Sequence, residues 1–172
     1  LLNIDYVTIY GFGEPLLDPE FLKKVEYTKS KGIKRVTTNT NACFLTLEIA
    51  RKLVEIGLDE IYISIDAATE ETYRKIRPNL DFKKVEENIK NLIEVRNELK
   101  SNKPVVILSY VESDMNRHET KHFISKWRNV VDYISISQIH NWTGDIVYGK
   151  KKEYKWRKRD PCRLLWTDMV IN

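Results

Sequence analysis

Two hydrophobic rhythms alternate along the chain. Short runs such as DYVTIY, VVILSYV and YISIS alternate or crowd their apolar residues. Between them, longer stretches return an apolar residue every three or four positions. The first rhythm belongs to strands and the second to amphipathic helices. Read this way, the chain predicts strands near 4–10, 33–38, 60–66, 104–111 and 132–139, with helices near 19–31, 46–56, 81–100 and 117–128. In the longest helix Phe82, Val85, Ile89, Leu92, Ile93 and Leu99 form the apolar stripe, while Lys83, Glu87, Lys90 and Glu94 take the other face. Gly32 and Gly57 stand where helices end, and Thr46 and Asp81 where they begin. Strands rich in β-branched residues and alternating with helices predict a parallel sheet buried on both faces. The class is α/β, either an open doubly wound sheet or a (βα) barrel or part of one.

Residues 11–19, GFGEPLLDP, join the first strand to the first helix. Gly11 and Gly13 leave room for a turn with positive φ. Pro15 holds Glu14 in extended backbone. Asp18 and Pro19 predict the N-cap and first position of the helix. Polar groups gather after the other strands too: Thr38 to Asn41, Ser64 and Asp66, Glu112 to Asn116, then Gln138, His140 and Asn141. Parallel α/β folds place ligands at that strand edge. The glycine loop lacks the third glycine of a dinucleotide motif and any following G-K-[ST], which argues against phosphate. A carboxylate there suits an ammonium group instead.

The chain has 172 residues, 42% hydrophobic and 31% charged, with net charge +4, which predicts one soluble domain. No apolar run reaches the ~18 residues of a membrane span and no leader stands at the start, so a cytoplasmic protein without membrane contact is expected. Two cysteines, Cys43 and Cys162, predict no disulfide framework. Cys43, beside Phe44 and Leu45, reads as a buried structural thiol, and His118 and His122 as surface residues. Both ends, Leu1 and Asn172, read as cut.

Three stretches in order, GFGEPLLDPEF, TNTNACFLT and ISIDAATEETYRKIRPNLDF, resemble the middle of a radical SAM enzyme. Gly11-Phe12-Gly13-Glu14-Pro15 stands for its G-G-E-P motif, Thr40-Asn41-Ala42-Cys43-Phe44-Leu45 for T-N-G/A-x-x-L, and Ser64-Ile65-Asp66 for its S-I-D strand end. The similarity runs on through Arg77, Asn116, Glu119 and Trp127, and PCRLLWTDMVIN is similar to the opening of a SPASM domain. The resemblance implies a partial (βα)6 TIM-like barrel at 1–149, here missing its first strand, a basic linker at 150–161 and the start of a SPASM-like domain at 162–172. It implies S-adenosylmethionine (SAM) across the strand ends, contacted by Gly11, Gly13, Glu14, Pro15, Thr40, Asn41, Ser64, Asp66, Arg77 and Asn116, with Arg77 toward the methionine carboxylate and Ser64 and Asp66 toward the ribose.

The implied chemistry is radical. A [4Fe-4S] cluster, fed by a reductant protein, cleaves SAM to a 5′-deoxyadenosyl radical that abstracts hydrogen from a peptide, protein or small-molecule substrate. Cys162 would begin an auxiliary [4Fe-4S] site. The family's C-x-x-x-C-x-x-C loop is absent, so the 172 residues read as an inactive fragment of an active enzyme. The alternative is a non-catalytic βα domain that binds an acidic partner or nucleic acid through the basic, aromatic run at 150–159, with nucleic acid the weaker of the two. Strand 4–10, without its neighbour, is expected to self-associate.

Overall fold

A computed structural model describes residues 4–10 and 13–139. Five strands, β1 (Tyr6–Thr8), β2 (Arg35–Thr40), β3 (Glu60–Ser64), β4 (Val105–Glu112) and β5 (Tyr133–Gln138), form one sheet in the order in which they occur. All four pairings are parallel. An open doubly wound sheet reverses its strand order partway across, whereas a barrel progresses in one direction. The monotonic order is that of a partial barrel wall.

Helices α1 (Phe21–Ser30), α2 (Leu47–Ile56), α3 (Glu70–Ile76), α4 (Phe82–Glu98) and α5 (Thr120–Trp127) connect the strands. They cover one face only. Alternate strand positions Val36, Thr38, Thr40, Ile61, Ile63, Val106, Leu108 and Tyr110 are buried on the helix side with Phe21, Leu53, Val85, Ile89, Leu92 and Trp127. On the other face the register aligns Asn39 with Tyr62, and Ser64 with Ser109 and Ser135. These positions remain half-buried or exposed. The expectation of strands buried on both faces holds at the middle of β2 and β4, where Thr37 and Ile107 are buried on the concave side too, and is corrected for β5, which is exposed along most of its length. The physical reason is the wall itself, since a curved sheet with all its helices outside leaves its concave side to the interior of the barrel.

Local signals explain most boundaries. Thr46 caps α2 by accepting the Ile49 N–H, and Gly57 ends it at φ +78°. Asp81 accepts the Lys83 and Lys84 N–H groups at the start of α4. The start of α1 differs from the sequence reading. Pro15–Leu17 form a 3-10 turn that closes on Asp18, so α1 begins at Phe21 and the Asp18 carboxylate accepts the Glu20 N–H at 2.9 Å from outside the helix. Leu99 caps the end of α4 and is exposed, while polar Asn88 takes a buried place on the helix's inner stripe. Helix α3 was not separable from its loop by pattern alone, being only two turns long. The segment from Arg117 opens as a 3-10 turn before α5 starts at Thr120. Among the described residues no helix is long and apolar enough to cross a membrane.

Candidate active site at the carboxyl edge of the sheet

Parallel pairing brings the loops after β1 to β4 to one edge, where two bonded groups form. The first joins the loops after β1 and β2. Gly13 holds φ +108°, which side-chain-bearing residues rarely adopt, and a Cβ there would meet open space. Glu14 is extended, as Pro15 requires, and caps the 3-10 turn through the Leu16 N–H. Its carboxylate also accepts the Thr40 hydroxyl at 2.5 Å and the Asn41 N–H at 2.8 Å. The carboxylate read as facing an ammonium group therefore ties two loops together first. About one of its four acceptor positions is left over. Asn41 turns its own side chain onto the Cys43 N–H, and Asn88 of α4 donates to the Ala42 carbonyl at 2.8 Å. Ala42 is left-handed, φ 59°, and Cys43 is half-buried against the core.

The second group joins the loops after β3 and β4. Arg77 ends α3, where Pro78 disfavours further helix, and its Nε and Nη2 both donate to Asp66 Oδ2, at 3.1 and 2.6 Å. A guanidinium has five N–H donors, and the others of Arg77 take no partner among the described residues. The second Asp66 oxygen accepts the Val111 N–H at 2.8 Å. Asn116 is fully buried: it donates to the Asp66 and Val111 carbonyls and accepts from Ser113. Ser64 lies on the concave face, beside Ser109 in the register.

One turn before Arg77 in α3 is Tyr73, a buried residue that the sequence reading missed. Its ring packs on Phe82 at 5.0 Å, and its hydroxyl is buried without a hydrogen-bond partner among the described residues. Burial pushes the phenol up to about 12; Arg77 opposes the shift, while Cys43 and Asp66 add to it. The four-residue spacing of Tyr73 before Arg77, one helical turn, was the available signal.

Gly11, Cys162, the basic run at 150–159 and the segment 162–172 lie outside the described residues. His118 and His122 are exposed. Among the described residues no three of His, Cys, Asp and Glu gather as a metal would need.

A parallel wall that runs one way, with polar loops gathered at its carboxyl edge, defines an α/β fold of the partial-barrel class. The Radical SAM superfamily model matches residues 3–124, and the chain belongs to that superfamily. An uncharacterized protein of Methanocaldococcus jannaschii is 32% identical over 81% of this chain and 46% of its own length. A "Probable GTP 3′,8-cyclase" of Saccharolobus islandicus is 34% identical over 80% of this chain and 42% of its own. The chain thus spans less than half the length of these relatives. Among solved structures, Streptococcus suis SuiB aligns with TM-score 0.66 at 16% identity over 86% of this chain and 32% of its own, and anSMEcpe with bound AdoMet and Kp18Cys peptide with TM-score 0.56 at 21% over 87% and 41%. At such identities the likeness is one of fold.

Proposed function

We propose that this chain is the SAM-holding part of a radical SAM enzyme that acts on a peptide, protein or small molecule, in an arrangement of the SPASM type. The observation that carries the reading is the Arg77–Asp66 pair at the strand edge. It holds a cation beside an anion: the guanidinium donors without a partner among the described residues would take a carboxylate, and Asp66 would accept from ribose hydroxyls. The donor set fits the amino-acid and ribose ends of SAM. Glu14, Thr40 and Asn41 keep the facing loop in shape, and the open backbone at Gly13 gives the ammonium end its approach.

The cluster is a different matter. Two cysteines are present in all 172 residues, fewer than the three thiolates of the family's C-x-x-x-C-x-x-C loop, so these residues do not fit the cluster. When bound beside such a cluster, SAM supplies the radical that takes hydrogen from a substrate. This chain's own task is orientation. The concave row of Ser64, Ser109 and Ser135, with Asn39 on the same face, favours a substrate rich in hydrogen-bonding groups, such as a peptide.

Isothermal titration of the chain with SAM tests the reading. Saturable binding is expected, and Arg77→Ala is expected to weaken it about tenfold or more, the scale of a charge-assisted pair. Binding that Arg77→Ala and Asp66→Ala leave unchanged would overturn the assignment. Anaerobic treatment of the same chain with iron and sulfide should give no stoichiometric cluster absorbance and no SAM cleavage. A full cluster would show that Cys43 and Cys162 do more than proposed.

A further inference from the structure

The turn after β3, residues 65–69, carries Asp66, yet most of what holds it comes from far along the chain. Glu119, in the 3-10 turn before α5, is 7% exposed. One of its oxygens accepts the N–H groups of Ala68 at 2.8 Å and Thr69 at 3.3 Å. The other accepts the hydroxyls of Thr69 at 2.5 Å and Thr72 at 2.7 Å. Asn116 of the same segment donates to the Asp66 carbonyl, and Lys126 donates to the Ala68 carbonyl at 3.3 Å. The turn is gripped on its N–H and C=O sides by three side chains of one segment.

The donors on Glu119 are all neutral. Lys126 is occupied by Glu86 and Ala68, and the imidazole of exposed His118 lies 3.9 Å off. Four donors that converge on one group need a pure acceptor with two oxygens, which an ionised carboxylate is and an amide is not. A glutamine would have to turn its NH2 toward donors. The bonds from Glu119 reach the backbone beside Asp66 and the first turn of α3, whose last turn leads into Arg77.

We propose that Glu119 is a positioning residue for the cofactor edge, fixing through the Ala68–Thr72 turn the separation and direction of Asp66 and Arg77. The proposal rests on the reading that SAM lies against that pair. It also explains why a carboxylate whose hydrogen-bond donors among the described residues are all neutral is kept buried next to a site that needs a defined cation–anion pair. Loss of its charge is expected to loosen the turn while α4 and β4 stay ordered, because those elements hold their own core contacts.

Amide hydrogen exchange and SAM titration on the 172-residue chain, wild type against Glu119→Gln, Thr72→Val and the double variant, form the test. Glu119→Gln should speed exchange of the Ala68 and Thr69 amides and raise the SAM dissociation constant about tenfold, by loss of bonds to a charged acceptor. Thr72→Val should have a smaller effect that disappears in the Glu119→Gln background, since both act through one carboxylate. Unchanged exchange at Ala68 and Thr69, or unchanged SAM affinity with the turn loosened, overturns the proposal. Faster exchange spread evenly over α4 and β4 overturns it as well, by making Glu119 a residue of general stability. Wild-type chain that binds no SAM overturns the cofactor reading itself, a result the variants cannot mimic.

Discussion

Glu14 shows how one residue can be legible in type and illegible in direction. Its fixed, extended backbone follows from Pro15, but its bonds to Thr40 and Asn41 cross 26 and 27 residues of chain. No local pattern encodes such partners. Glu14→Ala should therefore destabilise the chain by about 2 kcal/mol, the cost of stranding donors on a lost charged acceptor, read as a shift of the urea midpoint. A change below about 0.5 kcal/mol would mean the two loops stand without it. Asn88 was hidden for the opposite reason. A polar residue on an apolar stripe reads as a defect until the Ala42 carbonyl is seen opposite it.

At the scale of elements, strand edges and strand ends behave differently. Among the described residues β1 pairs with β2 alone, which leaves a row of backbone donors and acceptors beside Tyr6, Val7 and Thr8. Light scattering of the chain should show mass rising with concentration, and Val7→Lys should suppress the rise while circular dichroism keeps its native form. A constant monomer mass in the wild type would refute this. Strand starts carry a repeated device instead. Asp59 precedes β3 and accepts the Val36 N–H, and Asp132 precedes β5 and accepts the Val106 N–H, while each aspartate's own N–H donates to that same residue's carbonyl. Lys29 and Lys103 complete the Asp59 cluster, and Arg96 the Asp132 pair. This opposite edge reads as stability rather than chemistry.

The whole molecule inherits its response to acid from these carboxylates. Burial by itself would raise Asp59, Glu119 and Asp132, but the lysine, hydroxyl, arginine and N–H donors around them outweigh it and hold all three below the ordinary carboxylate range. A depressed folded value contributes stability that is complete above the unfolded pKa, about 4, and is lost as pH falls through the folded one. Urea midpoints should hold from neutral pH to about 5 and then drop. Asp59→Asn should lower the neutral midpoint and flatten the drop, and an unaltered profile would remove Asp59 from this account. What the sequence by itself determined was the five strands and the four longer helices in their order, the caps at Thr46, Asp81 and Gly57, and the edge where polar residues collect, because periodicity, capping and φ preferences act within a few residues. Only the tertiary structure decided that the sheet order runs one way, that β5 is exposed along most of its length, that Glu14 joins loops, and that Glu119 grips the turn of Asp66. Those are contacts between residues some 25 to 50 positions apart, and they exist only once parallel strands have brought their ends together.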